Sequence, residues 1–365
     1  MSRFVRLCEI PSPTGEEAAI TAAVKAELEA FGLEVFEDDA AGRAEAGSGN
    51  LLARIEGEKP GFVLFCAHLD TVPHDGPIEV VLDEEGVYRS KGATILGADN
   101  KAAVAVIMEL ARRHTESKPP VGIEILFTVA EEQGLRGAAA FDTSLLESKA
   151  GFVLDHATDI GELITAAPSH HRITAEFTGV EAHSGLDPEG GRSAIVAAAK
   201  AISEMELGRL DEETTANIGT IGGGTSGNII PGSCRVSGEA RSIDPDRVTE
   251  VIAAMSDSMI WAASELGCEV DIVTEESFRG YRTADDSLAL LAAEEALRQR
   301  GVEPKRVATG GGSDANVFMA AGLDVLLVAN GTYDNHTHEE SVPRANLAEM
   351  LEICEGMLAA AAEKC

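Results

Sequence analysis

The chain has 365 residues, 44% hydrophobic and 25% charged, with 37 Gly against 13 Pro. At roughly 150 residues per domain this predicts about two domains, and the ordinary globular composition excludes a disordered, collagen-like or low-complexity protein. Lys plus Arg is 29 and Asp plus Glu is 62, a net charge of −33. A surface this acidic repels phosphate backbones and anionic lipid, so no nucleic-acid or membrane partner is expected, whereas cations are favoured.

The opening residues MSRFVRLCEIPSPTGEE contain no apolar run of signal-peptide length, and nowhere do 18 consecutive apolar residues occur. Six cysteines (Cys8, Cys66, Cys234, Cys268, Cys354 and Cys365) are scattered without a CxxC pair. Free thiols and a cytoplasmic location are therefore expected. A helix is expected from about Glu16, with Ser12 and Thr14 as candidate caps and Gly32 as its stop. FVLFCAHLD reads as a strand buried on both faces, and ADNKAAVAVIMELARRH (98–114) as a helix with acid at its start and bases at its end. IEILFTVAEE (123–132) and GFVLDH (151–156) read as two further buried strands. Strands alternating with helices predict an α/β fold with a mostly parallel sheet and helices on both faces.

From residue 168 the pattern changes. HHRITAEFTGV, GRSAIVAAAKAISEM, ANIGTIGG, CRVSGEARSID, PDRVTEVIAAMSDSMIWAASEL and GCEVDIVTE follow in the order β-α-β-β-α-β, a compact α+β plan. After residue 280 the α/β pattern returns through SLALLAAEEALRQRG, LDVLLVAN and RANLAEMLEICEGMLAAAAEK. The expected organisation is a discontinuous α/β domain over residues 1–167 and 280–365, with an α+β domain inserted at 168–279.

Acids and imidazoles cluster at the expected strand ends. His68 and Asp70 share a face at i, i+2 spacing, so His68 can ligate a metal while Asp70 accepts its other ring N–H. GADNK places Asp99 at a strand-to-helix junction, AEEQG places Glu131 and Glu132 after the next strand, and LDH places Asp155 after another. Open α/β sheets bind ligands at such ends. NHTHEES adds His336 and His338. Three carboxylates neutralise two divalent cations and a bridging hydroxide, so His68, Asp99, Glu132, Asp155 and His336 would form a neutral site. Asp99 would bridge cations about 3.5–4 Å apart, with Glu131 left free as general base.

HLDTVP (68–73), GADNKAAVA (97–105), EEQGLRGA (131–138), AHSG (182–185), NIIPG (228–232) with EARS (239–242), GGGSDAN (310–316) and HTHEES (336–341) stand in one order. In this the chain resembles the dinuclear zinc exopeptidases and amidohydrolases that include peptidase T, glutamate carboxypeptidase, aminoacylase and succinyl-diaminopimelate desuccinylase. The resemblance implies His68, Asp99 and Asp155 on one metal and Asp99, Glu132 and His336 on the other. It implies Asp70 as support for His68, and Glu131 as general base to a metal-bound hydroxide. His336 is preferred over His338 because Glu340 follows it by four residues. His183 resembles a histidine that reaches a partner subunit's site and stabilises the oxyanion, which implies a homodimer through the inserted domain. Asn228 and Arg241, expected on adjacent strands, resemble a substrate-anchoring pair. The glycines around Gly312 offer backbone N–H groups to a substrate terminus. The resemblance also implies a cis bond after Asp99.

Asp155 at the third ligand position, with EAHSGLDPEGGRSAI and LGRLDEETTANIG, resembles the peptidase T-like branch; His156, where a small residue is usual, departs from it. The implied activity is removal of the N-terminal residue from short peptides with two divalent ions, zinc first and cobalt or manganese as alternatives. Two other readings stand: an N-acyl amino acid amidohydrolase or carboxypeptidase on the same metals, and a catalytically silent binding or dimerisation homologue. GGGTSG (222–227) reads as a hairpin loop because a strand pattern follows it. His74, His114, His170 and His171 read as structural.

Overall fold

The strand Lys59–His68 is apolar from Phe62 to Ala67 because both of its faces are covered there. Val63, Phe65 and Ala67 enter one core while Leu64 and Cys66 turn to the other side, equally buried. The computed structural model describes residues 3–364 and divides into two units. One runs to Ala166 and includes Arg282–Thr309 and the chain from Ser313; the other is Ala167–Tyr281 with Gly310–Gly312.

The first unit is built on a sheet ordered Val35–Glu37, Leu51–Ile55, Val121–Thr128, Lys59–His68, Ser148–His156, Val325–Ala329, Glu162–Ala167. Val121–Thr128, Lys59–His68, Ser148–His156 and Val325–Ala329 are parallel neighbours. Their carboxyl ends therefore emerge along one edge, with His68 opposite Thr128 in register. The helices Ala18–Ala30, Ala98–Glu116, Leu288–Gln299 and Arg344–Lys364 bury their apolar stripes in one core with the sheet. Alanines let the last two approach closely: a Cβ at Gly356 would stand 3.0 Å from Ala296 Cβ.

Two local expectations are corrected. The first long helix is Ala18–Ala30, with Glu17 before it and no side-chain cap. Ser12 Oγ donates instead to the Leu69 carbonyl, and Thr14 Oγ1 to Asp70 Oδ2, so both hydroxyls serve the strand end His68–Asp70. IEILFTVAEE is strand only as far as Thr128. Beyond it Ala130 turns through φ +50, a left-handed conformation rare for alanine. The Asp99–Asn100 peptide is cis.

The second unit has an antiparallel sheet ordered Gly208–Arg209, Thr214–Gly223, Ser233–Ser242, Ser169–Thr178, Glu269–Phe278. The helices Ala194–Ser203 and Pro245–Glu265 cover it, sharing a core of Ile173, Phe177, Val236, Val248 and Met259. Ser193 and Asp244 cap these helices through Val196 N–H and through Asp246 and Arg247 N–H. The strand order is that of the β-α-β-β-α-β plan. GGGTSG ends one strand and loops toward Ile229–Ile230.

Candidate metal centre

His68, at the end of its strand, directs Nε2 to Asp99 Oδ1 at 3.1 Å and to Asp155 Oδ1 at 3.3 Å. Its Nδ1 lies 3.0 Å from the Asp70 carbonyl oxygen and 3.4 Å from Asp70 Oδ1, so the main chain of Asp70 is the nearer partner. On the other side His336 Nε2 stands 3.1 Å from Asp99 Oδ2 and 3.0 Å from Glu132 Oε1. Asp99 thus sends one oxygen to each imidazole.

These separations fit a pair of divalent cations. Donors about 2.0–2.1 Å from a tetrahedral zinc stand about 3.3–3.4 Å from each other, close to the observed spacings. His68, Asp99 and Glu132 have ligand atoms within 4.8 Å of one another, and so do His68, Glu131 and Asp155. The second group brings Glu131 to the edge of ligand distance, where the sequence reading leaves it uncoordinated.

Burial sets the electrostatics. Desolvation, joined by the Asp155 charge, pushes Glu131 well above the usual carboxyl range, and desolvation raises Asp155 to about 7. Hydrogen bonds to the Asp99 and Glu132 carboxylates push His336 up to about 10. Desolvation opposes charge on Asp99, yet the two imidazoles hold its carboxyl well below the ordinary value.

Backbone contacts fix these groups. Asp70 is fully buried, with Oδ1 accepting Glu131 N–H at 3.0 Å and Oδ2 accepting Glu132 N–H at 3.2 Å. Glu340 Oε1 accepts Asp99 N–H at 2.8 Å, and its Oε2 accepts Leu96 and Gly97 N–H at 2.7 and 2.8 Å. Asn100 Nδ2 donates to Asp155 Oδ1 at 2.9 Å. A cavity of about 390 Å³ lies beside His336, walled by Pro73–Asp75, Ala93–Ile95 and His338.

Sequence reasoning missed Asp314, whose Oδ2 accepts Thr128 Oγ1 at 2.5 Å and which burial raises to about 6. Its only signal was its place in GGGSDAN. The helix Asp314–Ala320 is capped from within, since Ser313 N–H and Ala315 N–H already bond Asn316 and Ser313. Those two donors are not free for a substrate. Gly312 is fixed by space: a Cβ there would meet Phe278 at 2.3 Å.

In the second unit, His183 pairs with Ile229 in a two-stranded ribbon, and Ser184 N–H donates to the Asn228 carbonyl at 2.9 Å. His183 and Asn228 are therefore close neighbours and both exposed. Arg241 is not their neighbour. Its strand, Ser233–Ser242, pairs with Thr214–Gly223 and Ser169–Thr178, while Ile229–Ile230 pairs with Ala182–His183. The expectation of adjacent strands fails because the chain crosses sheets at Pro231–Gly232. Arg241 Nε donates to Glu239 Oε1 at 3.1 Å and its Nη1 to the Gly310 carbonyl at 3.2 Å.

Residues 64–360 match the family described as Peptidase family M20/M25/M40. The uncharacterised protein YqjE of Bacillus subtilis is 36% identical over 366 residues, covering 100% of this chain and 98% of its own. The crystal structure of aminopeptidase PepT from Bacillus cereus is similar with a TM-score of 0.89 and 36% identity, covering 98% of this chain and 97% of its own. That of a tripeptidase from Staphylococcus aureus has a TM-score of 0.93 and 33% identity, covering 99% and 97%.

Proposed function

The chain belongs to peptidase family M20/M25/M40, and from that premise we propose that it removes the N-terminal residue from short peptides at a pair of divalent cations. The observation that carries this reading is Asp99, with one oxygen 3.1 Å from each of two imidazoles drawn from distant parts of the chain. His68, Asp99 and Asp155 would hold one cation, and Asp99, Glu132 and His336 the other. Imidazole and carboxylate donors at this spacing suit zinc, with cobalt or manganese as substitutes. Such a pair, when bound, polarises the scissile carbonyl and acidifies water.

The protein's own groups do the rest. Glu131, held beside the site by the Asp70 contact to its N–H, takes a proton from the attacking water and passes it to the departing amine. Exposed His183 and Asn228 stand ready to reach a second copy of the chain, His183 to stabilise the developing oxyanion. Arg241, oriented by Glu239, would bind the substrate carboxylate. The homodimer this requires is checked by sedimentation; an active monomer overturns the role in trans.

The test is Glu131→Gln, which should retain both metals and lose about 10²–10⁴-fold in kcat on a tripeptide. Near-normal turnover would refute the assignment. Tripeptides, N-acylated amino acids and N-blocked peptides assayed together separate an aminopeptidase from a deacylase or carboxypeptidase, since only the first needs a free amine.

A further inference from the structure

Three consecutive backbone N–H groups precede or belong to the acidic pair at residues 131–132, and two carboxylates take them. Asp70 accepts those of Glu131 and Glu132. The third, from Ala130, goes to Glu17 Oε1 at 3.2 Å. Glu17 is fully buried, and the same oxygen accepts Gly15 N–H at 2.9 Å while Oε2 accepts Gly47 N–H at 2.6 Å. A buried carboxylate is costly unless hydrogen bonds compensate it, and here three main-chain donors from separate segments do so. The residue it grips carries backbone strain. Ala130 is completely buried with φ +50, a left-handed conformation in which its Cβ crowds the following carbonyl oxygen. Without an external tether the turn would relax toward ordinary backbone and carry Glu131 and Glu132 with it.

We propose that Glu17 is a positioning residue for the metal centre: its carboxylate holds the strained Ala130 turn so that Glu131 and Glu132 face the cations. The inference rests on the reading of those two glutamates as working groups of the site. Glu17 lies 113 residues before Ala130 in sequence, outside every motif that carries ligands. Gln fills the same volume but offers one acceptor oxygen, and its amide N–H₂ faces a backbone donor.

Glu17→Gln should bind zinc about 10–100-fold more weakly and lose a similar factor in kcat, with KM for a tripeptide within about 2-fold. A structural defect alone would lower the unfolding temperature without moving zinc affinity or kcat, and that result overturns the proposal. In an Ala130→Gly background, where the left-handed turn needs no tether, the same substitution should cost less. Equal losses in both backgrounds would also overturn it. Glu16→Gln, at an exposed neighbour, serves as the control with wild-type behaviour. Should Glu17→Gln not accumulate as folded protein, Glu17→Asp keeps the charge, shortens the reach and carries the same test. A wild-type protein that cleaves no peptide would count against the peptidase reading alone, because the zinc titration is read without turnover.

Discussion

Lys101 carries its ammonium group into the interior of the first unit, where its side chain is fully buried. It donates to Ser12 Oγ at 2.6 Å, and Ser12 passes the contact on to the Leu69 carbonyl between His68 and Asp70. Burial pulls its pKa down while the thiol of Cys8 and the carboxylates of Asp70, Glu340 and Asp99 pull it back up. Removing one partner of a buried charge cluster typically costs about 3–5 kcal/mol. Lys101→Met should therefore lower unfolding free energy by about that amount in urea titration, and a change below about 1 kcal/mol would show that its charge is not balancing those carboxylates. The sequence made His68, Asp70, Asp99, Glu131, Glu132, Asp155 and His336 visible because each follows an apolar run or sits in a motif. Lys101, Glu17, Thr14 and Asp314 were not visible in these roles, since their partners lie 56–186 residues away. No local pattern encodes such a meeting.

Between elements, the helices Ala98–Glu116 and Arg344–Lys364 are tied near the end of the first. His114 Nε2 lies 2.7 Å from Glu355 Oε2, and Arg113 Nη1 lies 3.1 Å from Glu352 and 3.3 Å from Glu355. Burial opposes charge on His114, but Glu355 outweighs it and raises the pKa; burial likewise opposes charge on Glu355, and His114 lowers it. The His114 contribution is complete below its unfolded value of about 6.5 and fades as pH rises through its higher folded value. The Glu355 contribution is complete above about 4.3 and fades as pH falls. Glu355→Gln should thus be most destabilising near pH 5–6 and progressively less so toward pH 9, as denaturant unfolding at several pH values would reveal. A constant difference would mean the imidazole is neutral throughout. The long elements were legible from apolar runs and helical spacing. The three-stranded sheet of Val80–Leu82, Val87–Ser90 and Ser341–Pro343 was not, because strands of three or four residues have no periodicity to read. Yet that sheet brings Ser341 against Arg89 and so anchors the segment carrying His336 and Glu340.

For the molecule as a whole, 62 acidic against 29 basic side chains set two effects of salt in opposition. Screening weakens surface pairs such as Lys91–Glu79 and Arg43–Asp39, which are worth little when exposed. It also relieves repulsion across a net charge of −33. Repulsion should dominate, so the unfolding temperature should rise between about 10 and 150 mM NaCl, over which the screening length falls from about 30 to 8 Å. Calorimetry showing a fall would mean that the ion pairs dominate. The −33 was legible at once, as was the presence of a second, α+β unit within the chain. The strand crossing at Pro231–Gly232, which separates Asn228 from Arg241, depends on pairings that composition does not encode.

Asp99 is a single side chain shared by two neighbourhoods, and sharing removes independence. In the proposed two-cation centre, a cation against its first oxygen would fix the carboxylate and aim the second oxygen, so filling one position would prepare the other. In that proposed centre Asp99→Asn would keep one ligating oxygen and lose the other, so the two positions would share no bridging group. The damage would fall on their cooperation before it fell on either half alone.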